Sequence, residues 1–180
     1  MPRTADMTLH GVFMEILGLG VLVCGASGVG KGELALELVT RGHRLIADDA
    51  PEFHATADTA PQGTCPPLLQ DMLEVRGLGV LNIRALFGVA AIAPRAVLAL
   101  KVHLQPNAVT TLHTFTPDYR TCTVLGRDIP EVTLPLMPGR NTALLIETLV
   151  RDFKLRRSGY DAAQDFVRRQ RDFMQRQREA

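Results

Sequence analysis

With 180 residues, 46% of them apolar and 22% charged, the chain has the size and composition of one globular domain with a sizeable core, which excludes a disordered or fibrous protein. Its formal charge of +1 neither favours nor excludes a nucleic-acid partner. No apolar run reaches the ~18 residues of a membrane helix, and Pro2, Arg3, Asp6 and His10 interrupt any signal-like opening.

Residues 1–9 read as a flexible lead. Residues 10–16 then read as a strand in which Val12, Met14 and Ile16 alternate. Gly18 and Gly20 predict a tight turn into a buried strand, Val21 to Cys24. Such a hairpin would carry His10 toward the residues that follow; by spacing alone, His10 is a surface residue at a strand start.

The stretch Gly25-Ala26-Ser27-Gly28-Val29-Gly30-Lys31-Gly32 separates that strand from a helix-like run, Glu33 to Arg41. Its first seven residues match G-x-x-x-x-G-K, a phosphate-binding loop. The glycines let successive backbone N–H groups converge on one anion. The helix start adds unpaired N–H groups and a partial positive charge, and Lys31 supplies a point charge for the outer phosphates. The eighth position, which should be Ser or Thr to hold Mg²⁺, is Gly32. A dinucleotide fold is disfavoured, because Gly18-Leu19-Gly20 has no third glycine at Val23.

The helix has Leu34, Ala35, Leu38 and Val39 on one face and Glu33, Glu37 and Arg41 on the other, with Gly42 as its stop. Leu45 to Ala47 then reads as a short buried strand ending in Asp48 and Asp49. In an open α/β sheet ligands gather at the carboxyl ends of strands. The two acids would therefore stand beside the phosphate site, one toward Mg²⁺ and one as a proton acceptor. Their close like charges would raise one pKa. The plainer reading is an acidic turn before Pro51.

Residues 54–67, rich in Thr, Ala, Pro and Gly, read as a mobile loop. The segment Glu74-Val75-Arg76-Gly77-Leu78-Gly79 puts an acid and a base beside a flexible turn, and is either a ligand loop or a salt-bridged structural turn. Further strands are predicted at Ala96 to Leu104 and at Glu131 to Leu136, with polar irregular chain over 105–120. Asn141 is an N-cap for a helix presenting Leu144, Leu145, Thr148 and Leu149 on one face.

The last thirty residues hold nine basic and five acidic residues. Asp161 with Gln164 resembles a capping box, and Phe166, Val167, Gln170, Phe173 and Met174 form a narrow apolar stripe. A docked terminal helix with a solvated basic face is the expectation, and a partner or subunit contact surface the alternative. Three cysteines, Cys24, Cys65 and Cys122, without C-x-x-C spacing suit reduced thiols in a cytosolic protein, and the five histidines show no close metal-ligand spacing.

Taken together, these motifs resemble the catalytic domain of bifunctional HPr kinase/phosphorylase. The matching pieces are His10-Gly11-Val12-Phe13, the loop from Gly25 to Lys31, the run Leu34 to Ala50 with its paired acids, Leu73 to Ile83 with Leu86-Phe87-Gly88, and Leu134 to Asn141. The likeness runs from about residue 10 to near the C-terminus. It implies an α/β fold with a P-loop kinase core resembling phosphoenolpyruvate carboxykinase, in which a mixed sheet is flanked by helices. It implies a domain over 10–180, without the family's N-terminal domain.

The resemblance further implies ATP- and Mg²⁺-dependent phosphorylation of a serine on the phosphocarrier protein HPr, and the phosphorolytic reverse. These reactions regulate bacterial sugar uptake from the cytoplasm, in a homo-hexamer with no nucleic-acid or membrane partner. By position Lys31 is the phosphate-loop lysine, Asp49 the acid exchanging the serine proton, and His10 a catalytic histidine. Glu74, with Asp48 beside it, is a Mg²⁺ ligand, and Pro135 to Arg140 form a loop tied to phosphorolysis. Gly32 departs from the family's serine, which implies weaker metal binding and a lower rate, with Gly32→Ser expected to raise turnover. No arginine of residues 110–120 falls cleanly in the family's register, Arg120 being the one candidate. A degenerate phosphate-binding protein with little catalysis is the alternative these departures suggest.

Overall fold

The computed structural model describes residues 5–56, 58–106 and 116–179. Strands β2 (Val12–Ile16) and β3 (Leu19–Gly25) form an antiparallel hairpin. Leu17 and Gly18, with φ of 51° and 81°, supply the two left-handed residues that such a tight turn demands. Helix α1 (Lys31–Thr40) buries Leu34, Ala35, Leu38 and Val39, the face its periodicity predicts. Strand β4 (Arg44–Ala47) returns antiparallel to β2, and so runs parallel to β3.

The long strand β9 (Arg95–Pro106) lies on the other side of β3 and parallel to it. It buries alternate residues, Leu98, Leu100, Val102 and Leu104. Strand β11 (Arg127–Leu136) continues the sheet parallel to β9, and the pair is tied by Lys101 Nζ to Glu131 Oε1 at 3.0 Å. Strand β10 (Tyr119–Val124) closes this edge antiparallel to β11. Its first two residues, Tyr119 and Arg120, fall in the 105–120 segment that reads as irregular; residues 107–115 of that segment lie outside the described residues. The sheet thus runs β10-β11-β9-β3-β2-β4, mixed as expected.

Two expectations fail on the other branch of the sheet. Strands β1 (Ala5–Thr8), β5 (Glu52–Ala55) and β6 (Gln62–Thr64) are paired in the order β1-β5-β6, and β6 joins the start of β9. Residues 5–8 are therefore a paired strand instead of a flexible lead, and within the expected mobile loop of 54–67 residues 54–55 and 62–64 are strand. The cause is a local core: Phe53 is fully buried edge-on against Phe13, with ring centroids 5.0 Å apart. Gly63 lets β6 cross those rings, since a Cβ there would lie 2.6 Å from the Phe53 ring. Residues 1–4 and 57 lie outside the described residues.

Strands β7 (Met72–Val75) and β8 (Gly79–Asn82) form a separate antiparallel hairpin, followed by the short helix α2 (Ile83–Phe87). Helix α3 (Thr142–Arg157) is capped as predicted: Asn141 Oδ1 accepts from the Leu144 N–H at 2.7 Å, and its Nδ2 donates to Glu37 Oε1 at 3.1 Å. Its buried face is Ala143, Ile146, Leu149, Val150 and Phe153, not the predicted one; Leu144 and Thr148 are exposed. The orientation follows from Glu147, which meets the buried His43 at 2.7 Å and Arg41 at 3.1 Å after α1. With that pairing the buried face lies roughly a third of a turn around the helix from the predicted one.

Helix α4 (Ala162–Glu179) is not docked along its length. Its N-terminus is capped by Asp161, whose Oδ1 accepts from the N–H groups of Ala163 and Gln164 at 2.9 and 3.2 Å. Its apolar stripe faces solvent, Phe173 being 58% and Met174 57% exposed. The expectation of a docked helix is thereby overturned for its C-terminal half, where Phe173 and Met174 stay exposed. No helix of the described residues is long and apolar enough to cross a membrane.

Loss of the α3 cap in Asn141→Ala should lower unfolding free energy by about 1 kcal/mol in urea denaturation. Asn141→Ser, which retains a capping oxygen, should lose less.

Candidate active site

The phosphate loop leaves β3 at Gly25 and enters α1 at Lys31. Gly28 and Gly30 hold φ of 77° and 96°, a left-handed pair that only glycine adopts without strain. Lys31 Nζ folds back over the loop and donates to the carbonyls of Gly25 and Ala26, both at 3.0 Å. A cavity of about 430 Å³ opens above the loop. It is lined by Gly25, Ser27, Gly28, Gly30, Lys31, Gly32 and Glu33, together with His10, Gly11, Asp48, Asp49, Glu74 and Arg76. Of the site residues expected from sequence, Ala26 and Val29 do not line it; Ala26 contributes a carbonyl to Lys31, and Val29 lines a neighbouring groove.

The hairpin β2–β3 places His10 as anticipated. Its Nδ1 is 3.9 Å from Asp49 Oδ1, and both side chains are open to solvent, at 90% and 78%. Its own carbonyl accepts from Cys24 Sγ at 3.3 Å. Burial pushes the Cys24 thiol up to about 11, so it remains a protonated donor. Asp49 adopts a left-handed φ of 65°, held by the Gly11 N–H on its carbonyl at 3.2 Å. Such a conformation in a non-glycine residue is typical of strained functional positions.

Asp48 is half-buried, and its Oδ2 accepts from the Glu74 N–H at 2.8 Å. Burial raises its pKa above the usual carboxylate range; the Glu74 N–H opposes that shift and the neighbouring Asp49 charge adds to it. The acid pair thus divides as its environments dictate, with Asp48 inward and Asp49 exposed.

The β7–β8 hairpin packs directly on the loop. A Cβ on Gly32 would collide with the main-chain carbonyl oxygen of Glu74 and lie 3.2 Å from its carbon. A Cβ on Gly28 would lie 2.5 Å from Arg76 Nη2. The segment left open between a ligand loop and a structural turn therefore faces the phosphate site, and Arg76 is a cation that sequence reasoning did not assign. The signal was the acid–base pair beside the turn; what was missing was the hairpin's partner. Arg120 does not reach the cavity: it lies on β10, 71% exposed and paired with Asp118 at 2.9 Å. Residues 110–115 lie outside the described residues.

Four carboxylates (Glu33, Asp48, Asp49, Glu74) share this cavity with two permanent cations, Lys31 and Arg76. An anion placed on the loop would be repelled unless a further cation entered with it. No group of three or more His, Cys, Asp or Glu capable of holding a metal exists among the described residues. Asp48 and Glu74 line the cavity as two carboxylates, a donor set that fits Mg²⁺, which is held by one or two carboxylates plus waters and substrate phosphates.

The family model for the HPr serine kinase C-terminal domain matches residues 3–170. The chain is 53% identical over 172 residues to the HPr kinase/phosphorylase of Stenotrophomonas maltophilia, covering 93% of this chain and 54% of that protein. It is likewise 53% identical over 173 residues to the HPr kinase/phosphorylase of Xylella fastidiosa, covering 94% and 55%. The chain spans about half the length of the curated relatives it matches. Among solved structures, the HPr(Ser) kinase/phosphatase of Coxiella burnetii superposes with a TM-score of 0.80 at 35% identity, covering 89% of this chain and 98% of that one.

The packing at Gly32 sets a stability cost beside the gain in turnover expected of its substitution. Both Gly32→Ser and Gly32→Ala should destabilise the fold by about 1–3 kcal/mol through overpacking against Glu74, despite the ~1 kcal/mol helix-propensity gain. Chemical denaturation checks this, and a Gly32→Ser protein more stable than the parent would refute the packing account.

Proposed function

Because the chain belongs to the HPr serine kinase C-terminal domain family, we propose that it transfers the terminal phosphoryl group of ATP to a serine hydroxyl of the phosphocarrier protein HPr. In the reverse direction, inorganic phosphate takes the group from phosphoserine to give pyrophosphate. The observation that carries this reading is the placement of an exposed carboxylate, Asp49, across the cavity from the phosphate loop, beside His10.

In the forward direction Asp49 accepts the serine proton as the hydroxyl oxygen forms its bond to phosphorus. In reverse, protonated Asp49 returns a proton to the departing serine oxygen. His10, within ion-pair range, positions that carboxylate. Lys31 and Arg76 offset charge on the phosphates, and the loop N–H groups orient them. Asp48 and Glu74 would hold Mg²⁺. When bound, that ion would offset the negative charge of the phosphates.

Degeneration to a phosphate-binding protein is not favoured, since Lys31, both aspartates and Glu74 all stand at one cavity. The proposal includes a cytoplasmic setting, a role in regulating sugar uptake, and a homo-hexamer. The exposed Leu78, Val80 and Leu86 on the hairpin and α2, and the stripe on α4, are apolar surfaces that assembly would cover.

Radiolabelled ATP with HPr tests the activity: labelled serine is expected, and its absence with intact nucleotide binding would leave a binding protein only. Asp49→Asn should lower transfer by roughly 10²–10⁴-fold while changing nucleotide affinity little; retained transfer would remove Asp49 as the base. For Asp48, a raised folded-state pKa means that ionisation costs more in the folded than in the unfolded chain. That penalty is full above the folded pKa and vanishes below the unfolded one. Asp48→Asn should therefore raise the ligand-free Tm at neutral pH, with the gain fading as pH falls through the carboxylate range, while weakening Mg²⁺-dependent binding.

A further inference from the structure

A second groove, of about 330 Å³, adjoins the phosphate cavity on the opposite side of the loop. Gly30 lines both. The groove sits beyond the carboxyl ends of β3, β9 and β11, three strands that run parallel to one another. After β3 the chain leaves toward β4 on one side, and after β9 toward β11 on the other. The β3/β9 boundary is therefore a topological switch point, the place where open α/β sheets bind ligands. Its walls are Val29, Leu34, Leu104, Leu136, Met137 and Pro138, and Thr142 carries the polar side chain.

We propose that this groove takes the planar base of the nucleotide, and that it does so by dispersion and thioether–ring contact, with little discrimination between bases. The inference rests on the reading that a nucleoside triphosphate is the phosphoryl donor. That donor is an extended molecule, and its terminal phosphate must face Asp49 and His10. Its nucleoside end must then point away from them, across the loop and toward the β9–β11 side, where the adjoining groove lies. Volume and apolar lining suit a flat heterocycle, and Met137 provides a polarizable sulfur for its face. Selective recognition of a base needs an array of fixed donors and acceptors, and an apolar slot rejects isosteres weakly. One hydroxyl, that of Thr142, is no such array.

Titration calorimetry of the 180-residue chain with Mg²⁺ and ATP, GTP or inorganic tripolyphosphate tests this. ATP should bind at least about tenfold more tightly than tripolyphosphate, and GTP within about fivefold of ATP. Met137 lies on the loop after β11 and is partly exposed, so its substitution leaves the core intact. Met137→Glu, which sets a carboxylate against the base, should weaken ATP about tenfold and tripolyphosphate less than about twofold. Met137→Leu, which keeps the apolar contact and loses only the thioether, should weaken ATP by about two- to threefold and leave tripolyphosphate unchanged. Equal affinity for ATP and tripolyphosphate, an equal effect of Met137→Glu on both, or a preference for one base beyond about a hundredfold would overturn the assignment. Binding of tripolyphosphate without added affinity for ATP rejects the groove alone; failure of both to bind rejects the phosphoryl-transfer reading with it.

Discussion

The contact on which this site depends is the one between two backbones: the first turn of α1 and the carbonyl of Glu74. With no side chain at Gly32, strand β7 lies against the phosphate loop. Everything the hairpin brings follows from that approach. The Glu74 N–H reaches Asp48, the Glu74 carboxyl lines the cavity, and Arg76 closes over Gly28. A motif position that reads in sequence as a lost metal ligand is, in the fold, a packing requirement. The carbonyl oxygen of Glu74 fills the space a side chain would need.

The electrostatics of the cavity are unbalanced by design of the fold. Burial works against ionising Asp48, and the Glu74 N–H only partly offsets it. Asp49, next in the chain, sits in a left-handed conformation and in solvent. Two adjacent acids thus acquire different characters from the bend that follows β4. The inward one is suited to a cation, and the outward one to a mobile proton. Loop amides, Lys31 and Arg76 attract phosphate to the same cavity that the carboxylates make repulsive. The arrangement is stable with anion and cation together and poorly balanced with either alone.

The cavity and the apolar groove divide the loop into two sides with opposite chemistry. The β2–β4 side is acidic, with Asp48 and Asp49 on its wall. The β9–β11 side is apolar. This division originates in topology: successive connections leave β3 and β9 in opposite directions, and the loop stands between them.

Much of the site was legible in sequence because it is local. Strand, glycine loop, lysine and helix follow one another within twenty residues, and their periods and φ requirements are written in residue type. The same holds for the paired acids after β4 and for the Asn141 cap. Features that depend on distant partners were not legible. Residues 5–8 of the lead and 54–55 and 62–64 of the expected loop became strand where Phe13 and Phe53, far apart in the chain, share a core. The face of α3 was set by Glu147 meeting His43 and Arg41, which no helical period contains. The stripe on α4 is a real period, yet whether it docks depends on a complementary surface elsewhere. By itself the sequence determined the local pieces: the glycine loop with Lys31, the helix after it, and the two acids that follow the next strand. The tertiary structure decided which of them meet, placing Arg76 on the loop and leaving Arg120 outside. The physical reason is that propensity and spacing act along the chain, whereas packing and strand pairing act across it.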